Sequence, residues 1–194
     1  MDRKEERKLL IQLRKRIKDK TSKSNYIFEK ICALEVYKNA KTIAVYANMA
    51  NEVETDNFIV QCLKDGKEIC VPAIVDDGII QFYSIKSLEE LKIRNLHKYE
   101  IREPDIEIIK LKFYNQIDLF IVPMVGYDIM CNRLGYGGGY YDRYLANCKA
   151  HKIGVAFDMQ MLEVINTEKT DVPMDAVVTE KKILYSLQNK KTLL

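Results

Sequence analysis

The stretch Arg133-Leu-Gly-Tyr-Gly-Gly-Gly-Tyr-Tyr-Asp142 concentrates most of the chemistry this sequence can offer. With Gly135, Gly137, Gly138 and Gly139 in it, successive backbone N–H groups can close on an anion, and a helix opening near Tyr140 would add the positive end of its dipole. Arg133 brackets one side of the loop, and Tyr140, Tyr141 and Asp142 bracket the other. A cation, aromatic faces and a carboxylate around an anion-sized loop suit phosphate chemistry better than the competing reading, a plain flexible turn.

Two familiar phosphate loops are excluded by the spacing. A Walker loop requires Lys and then Ser or Thr after its last glycine, and neither follows Gly139. A dinucleotide fingerprint requires Gly where Tyr140 stands, and a strand ending within a tight turn of the first glycine. Here the preceding apolar run ends at Val122, with ten residues between it and Arg133.

Other charge is distributed unevenly. The net charge of +3 conceals an excess of Lys and Arg between Arg3 and Lys23. Such a patch suits a nucleotide or a nucleic acid, and equally a solvated helix face. A nucleic-acid surface would interleave aromatics with the basic residues. In this chain the aromatics gather beside the glycines instead, and acids return after Asp56. The five cysteines lack CxxC spacing, and the histidines, His97 and His151, stand apart, so a zinc site is not indicated. Reduced thiols, no apolar run of the ~18–20 residues that a membrane span needs, and no secretory leader point to the cytoplasm.

The elements that must position these residues alternate. One amphipathic helix is expected over residues 2–20, with Leu9, Leu10, Leu13 and Ile17 on one face and the basic residues on the other. Thr21 to Ser24 supply a break, and a second helix is expected to about Tyr37, burying Ile27, Ile31 and Leu34. Apolar runs predict strands at 42–47, 68–74, 79–84, 117–122 and 153–157, with short terminal strands at 175–179 and 183–185. Helices are expected over 56–64, capped by Thr55 and closed by Gly66, after a capping box at Ser87-Leu-Glu-Glu90, and from Tyr140 to about Cys148. This alternation implies an α/β fold, a three-layer α/β/α arrangement of residues 1–194 as one catalytic domain with a mostly parallel central sheet. It is Rossmann-like but lacks the standard dinucleotide fingerprint.

Arg133-Leu-Gly-Tyr-Gly-Gly-Gly-Tyr-Tyr-Asp-Arg-Tyr-Leu145 resembles the signature of the 5-formyltetrahydrofolate cyclo-ligases, or methenyltetrahydrofolate synthetases. The basic opening with Lys4, Arg7 and Arg14, the segment Asn51-Glu-Val-Glu-Thr55, and Asp171-Val-Pro-Met-Asp175 with the Val-Val-Thr-Glu180 after it are similar to the family's other motifs, in order. The resemblance implies ATP-dependent cyclisation of 5-formyltetrahydrofolate to 5,10-methenyltetrahydrofolate with release of ADP and phosphate, through a phosphorylated formyl group. It implies that Lys4, Arg7, Lys8, Arg133, Leu134, the loop Gly135-Tyr136-Gly137-Gly138-Gly139, Tyr140 and Tyr141 hold the nucleotide. Ala47, Met49, Glu52, Tyr136, Gly137, Gly138, Gly139 and Tyr140 would hold the folate, with Arg133 and Tyr140 nearest the chemistry. Asp142 and Asp175 match the family's Mg2+ positions. No nucleic acid, membrane or obligate protein partner is implied beyond the reduced folate. A catalytically silent folate- or nucleotide-binding protein is the alternative, and a nucleic-acid module using the first helix a more remote one.

Two positions depart from the family pattern: Met124 follows the Pro of the central strand, and Cys131 lies two before Arg133, both where Gly is usual. On this reading Arg133→Ala should abolish turnover and leave stability nearly unchanged.

Overall fold

The computed structural model describes residues 2–96, 99–105 and 116–187; His97 lies outside them. Seven strands form one sheet: β1 (Thr42–Val45), β2 (Glu68–Asp76), β3 (Ile79–Ile85), β6 (Leu119–Pro123), β9 (His151–Val155), β10 (Ala176–Val178) and β11 (Ile183–Tyr185). Their order across the sheet is β11-β10-β9-β6-β1-β2-β3. β10, β9, β6, β1 and β2 run parallel, and the edges β3 and β11 are antiparallel. The expected mostly parallel α/β sheet is what the chain forms.

Period-two alternation divides each buried strand between two cores. Ile43 and Val45, with Ile69, Val71, Leu119 and Ile121, face α2 (Lys20–Ala33), α3 (Glu35–Asn39) and α4 (Asp56–Lys64), which contribute Ile27, Ile31, Val36, Phe58 and Ile59. Ala44, Cys70, Phe120, Val122 and Val177 face the other way, toward Leu145, Tyr141 and Tyr144 of α5 (Tyr140–Leu145). Helices thus lie on both faces, giving the three layers. No helix among the described residues is long and apolar enough to cross a membrane.

The first helix differs most from expectation. α1 spans Arg3–Arg14 rather than 2–20, with Asp2 and Glu5 forming a capping box at its start. Asp19, in a left-handed conformation at φ 55°, starts α2, so Thr21 to Ser24 lie inside a helix and not in a break. Leu34 is extended and separates α2 from α3. The inward face of α1 is Glu6, Leu10 and Arg14, whereas Leu9 is 43% exposed. Leu10 packs with Val125, Leu134 and Ile165 in a third small core, which seats α1 over the hairpin of β7 (Gly126–Tyr127) and β8 (Arg133–Leu134).

Other boundaries move for local reasons. α4 begins and ends where the sequence placed it, but the Thr55 hydroxyl does not cap it; it donates to the carbonyl of Tyr46 and to Asn48 Oδ1. Ser87 opens only a turn of 3-10 helix, Leu88–Glu90, without a capping bond, and Glu90 instead accepts from the Lys86 N–H. α5 stops at Leu145 instead of Cys148. A hairpin of β4 (Leu91–Leu96) and β5 (Tyr99–Pro104) had no counterpart in the expected elements.

Candidate active site

The loop 135–139 leaves β8 and enters α5 at the carboxyl ends of the parallel strands, where β1 delivers Tyr46 and Ala47 and β6 delivers Pro123. Open α/β sheets bind ligands at this end. A cavity of about 1490 Å3 opens there.

Glycine is required at two points of the loop. Gly137 and Gly139 have φ of 101° and 67°, and Gly139 is the residue from which α5 starts. Elsewhere the loop is packed tightly: a side chain at Gly138 would meet the Tyr140 ring 2.7 Å away. The loop carbonyls are held from outside. Arg7 Nε donates to the Gly135 carbonyl at 2.8 Å, and Arg143 donates to the carbonyls of Gly138 and Gly78 at 2.6 and 2.8 Å. With these carbonyls tied back by two guanidinium groups, the loop keeps one shape and remains cationic along its rim.

Arg133 is 7% exposed. Its guanidinium donates to Asp142 at 2.7 Å and to the Pro123 carbonyl at 3.4 Å, and lies 5.7 Å from the centre of the Tyr141 ring. Asp142 also accepts from the Val172 N–H, so both of its oxygens are engaged. Arg3 pairs with Asp171 through two nitrogens at 2.8 and 3.2 Å, and reaches Glu168 at 3.1 Å. Burial works against the Asp171 charge, but the Arg3 bonds hold its carboxyl below the ordinary value, and the same bonds raise Arg3. The Nε atoms of Arg3, Arg14 and Arg133 are buried without a partner. Two of these, Arg3 and Arg133, line the loop end of the cavity, where a buried cation with a spare donor favours an anionic ligand.

The acid end of the cavity is different in character. Glu52 is 4% exposed and accepts from the Met49 N–H at 2.9 Å and from the Tyr136 hydroxyl at 3.0 Å. Arg14, 2% exposed, donates in turn to Tyr136 at 2.5 Å. Burial pushes the Glu52 carboxyl above the ordinary glutamate value, opposed by the Met49 N–H, the Arg14 charge and the Tyr136 hydroxyl. Asn48 organises the segment bearing these groups, accepting from Thr55 N–H and from Arg102, which also grips Asp56 at 2.7 and 2.9 Å. β5 brings Arg102 to the cavity wall.

The structure therefore brings together Arg7, Ala47, Met49, Glu52, Arg133, Gly135, Tyr136, Gly137, Gly138, Gly139, Tyr140, Tyr141 and Asp142 around one cavity. It leaves out four candidates. Lys4 and Lys8 are exposed on the outer face of α1, since Arg3 and Arg7, one turn apart, occupy the inner one. Leu134 is fully buried in the core beneath α1. Asp175 precedes β10, at the amino end of the parallel strands; its carboxylate accepts from the Lys152 N–H at 2.7 Å and faces the Lys152 ammonium at 3.6 Å. The pair Asp142 and Asp175 is not assembled, and no cluster of three metal-type ligands occurs among the described residues.

Arg3, Arg102, Arg143 and Asp171 line the cavity although sequence reasoning passed over them. For Arg3 the usable signal was its spacing from Arg7 and Arg14, which puts all three on the face of Leu10. For Arg102 there was none, because a hairpin that sequence did not anticipate delivers it. Cys131 has φ 63°, which accounts for the glycine usual there, and the buried Met124 fills the space over Gly154, where a Cβ would meet its Cε at 1.9 Å.

The profile of the 5-formyltetrahydrofolate cyclo-ligase family matches residues 1–180. The 5-formyltetrahydrofolate cyclo-ligase of Escherichia coli K12 is 33% identical over 149 residues, 74% of this chain and 80% of that protein. The mouse 5-formyltetrahydrofolate cyclo-ligase is 28% identical over 171 residues, 84% of either chain. Among solved structures, the 5,10-methenyltetrahydrofolate synthetase of Aquifex aeolicus superposes with a TM-score of 0.81 at 29% identity, covering 95% of this chain and 93% of its own. With a profile match of this length and relatives spanning most of the chain, the protein belongs to the 5-formyltetrahydrofolate cyclo-ligase family.

Proposed function

We propose that this protein cyclises 5-formyltetrahydrofolate to 5,10-methenyltetrahydrofolate at the expense of ATP, releasing ADP and phosphate, in the cytoplasm. The observation that carries this reading is a single cavity with two chemically different ends. Arginines and a glycine loop with tied-back carbonyls lie at one, and the buried acid Glu52 among aromatic side chains lies at the other.

At the loop, the backbone N–H groups with Arg7, Arg133 and the loop-holding Arg143 receive the triphosphate. At the acid end, Glu52 accepts from the donor edge of the pterin, and Tyr136 and Tyr140 flank the ring, with Ala47 and Met49 as apolar wall. The formyl oxygen, lying between, attacks the γ-phosphorus as ADP leaves, giving an iminium carbon that carries phosphate. N10 then bonds to that carbon, loses its proton, and the C–O bond breaks to release phosphate. Arg133 supports the charge spread over the transferring group, a task that consists of positioning and neutralisation.

Magnesium reaching the site with the nucleotide would supply charge neutralisation between phosphate oxygens. Asp142, in the first turn of the helix that follows the loop, would hold it by sharing an oxygen now bonded to Arg133 or to the Val172 N–H, and an ion that keeps most of its waters needs few protein carboxylates. Asp175 does not belong to that donor set. The direct check is an absorbance assay. Protein with ATP, Mg2+ and 5-formyltetrahydrofolate should generate the near-ultraviolet band of the methenyl product, and a protein that binds folate without ATP-dependent product would be the silent alternative.

A further inference from the structure

Among the described residues that line the cavity, one buried hydroxyl has no partner within the protein. Tyr141 Oη is buried and has no hydrogen-bond partner. Neighbouring phenols differ. Tyr46 donates to the Val53 carbonyl at 2.9 Å, Tyr136 to Glu52 at 3.0 Å and Tyr127 to the Asp158 carbonyl at 3.2 Å. The Tyr141 ring cannot turn away to find a partner, because it is held edge-on against Phe82 at 6.4 Å, with the Arg133 guanidinium 5.7 Å from its centre. A locked, buried and unpaired hydroxyl lowers stability, so a ligand group that satisfies it is the physical reading of its presence in a cavity wall.

The surroundings select the ligand's chemistry. Burial, and after it the charge of Glu52, keep this phenol protonated and hence a donor. Of the charges acting on the hydroxyl, Glu52 outweighs Arg133, and the Arg133 guanidinium against the ring is already bonded to Asp142, so a phosphate oxygen is disfavoured there. On the reading proposed above, Glu52 accepts from the 2-amino and N3–H groups of the pterin. The next atom along that edge is the C4 carbonyl oxygen, which requires a donor. Tyr46 and Tyr136 have already committed their hydroxyl protons, to Val53 and to Glu52. Of the unpaired guanidinium nitrogens nearby, Arg14 Nε belongs to a residue outside the cavity lining, and Arg133 Nε to a group tied to Asp142 beside the glycine loop. We infer that Tyr141, rather than serving the nucleotide, donates its hydroxyl to the C4 carbonyl of the pterin and completes with Glu52 a donor–acceptor clamp that reads the polar edge of the folate.

This inference rests on the cyclo-ligase reading, and one titration series separates the two. Binding of 5-formyltetrahydrofolate and of ATP is measured separately by calorimetry for wild-type protein and Tyr141→Phe, alongside the folate analogue with an amino group in place of the C4 oxygen. Tyr141→Phe should weaken 5-formyltetrahydrofolate about tenfold, the loss of one buried hydrogen bond, and leave ATP affinity within about twofold. Its melting temperature should be equal or higher, since an unsatisfied group has been removed. The wild-type preference for the oxo over the amino ligand should shrink in the variant. Unchanged folate affinity, a loss confined to ATP, or an undiminished oxo preference would each overturn the assignment. Wild-type protein that bound no 5-formyltetrahydrofolate would instead remove the reading of the whole cavity.

Discussion

The Tyr136 hydroxyl donates to Glu52 Oε1 at 3.0 Å while accepting from the Arg14 guanidinium at 2.5 Å, so a loop residue links the first helix to the acid end of the cavity. Arg14 comes from α1, Tyr136 from the glycine loop and Glu52 from the segment after β1. One phenol therefore ties three separate elements together in the cavity wall.

Tyr136→Phe is expected to leave the Arg14 nitrogen and a Glu52 oxygen short of a partner, costing about 1–3 kcal/mol of stability. The same change should raise the KM for folate more than that for ATP, because on the proposed reading the acid it releases faces the pterin. Denaturant melts together with the two KM values check both halves.

For Glu52 the sign of the pH effect follows from its raised carboxyl. A carboxyl raised in the folded state stabilises the fold below the unfolded value, and that contribution is lost as pH rises through the folded value. At neutral pH the buried charge is thus a burden on the empty protein. Glu52→Gln should raise or preserve the melting temperature at pH 7, with the gain shrinking as pH falls through the raised value, yet weaken folate by at least about tenfold through loss of a charged acceptor. Melting curves of both proteins across that window provide the check.

Arg133→Ala should abolish turnover, but the expectation of unchanged stability does not survive the structure. Arg133 is buried and its partner Asp142 is only part-exposed, with side chains 5% and 18% exposed. Removing one member of such a pair strands the other, at a cost of about 3 kcal/mol. Arg133→Lys keeps a charge but not the geometry, and should recover part of the stability and little of the activity.

Asp142 and Asp175 should separate cleanly. Asp142→Asn is expected to raise the Mg2+ concentration for half-maximal rate, whereas Asp175→Asn should leave that dependence unaltered and act on stability through the Lys152 backbone it supports. Rate measured against Mg2+ for both variants decides it.

What the sequence disclosed follows from how local each signal is. The glycine loop was legible because glycine takes φ above zero without strain, and α4 was legible because Asp56 to Lys64 carry a clean helical period bounded by a turn glycine. α1 was misread because Leu9 and Leu13 are apolar and Arg14 is not, while burial of Arg14 depends on Tyr136, 122 positions away. The β4–β5 hairpin was invisible since charged residues occupy both of its faces, and Arg102 and Glu103 are placed by Asp56, Asn48 and Ile74 rather than by apolar patterning. Asp175 matched a motif, but the backbone of Lys152 claims its carboxylate.

Cys131 offers a test of the loop that leads into the signature. Its φ of 63° costs about 1 kcal/mol for a residue with a Cβ, and its side chain is fully buried. Cys131→Ala keeps the strain and loses packing; Cys131→Gly loses packing and relieves the strain. The glycine variant should therefore melt higher than the alanine one, an order that helix- or strand-based intuition would reverse.

On the proposed reading the cavity joins a folate formyl oxygen to the γ-phosphate of ATP. A reaction run with 18O in the formyl group of 5-formyltetrahydrofolate, with mass analysis of the phosphate released, reports on that bond. One labelled oxygen is expected in each phosphate formed, in step with methenyl product and ADP. Unlabelled phosphate, or product formed without phosphate, would contradict it.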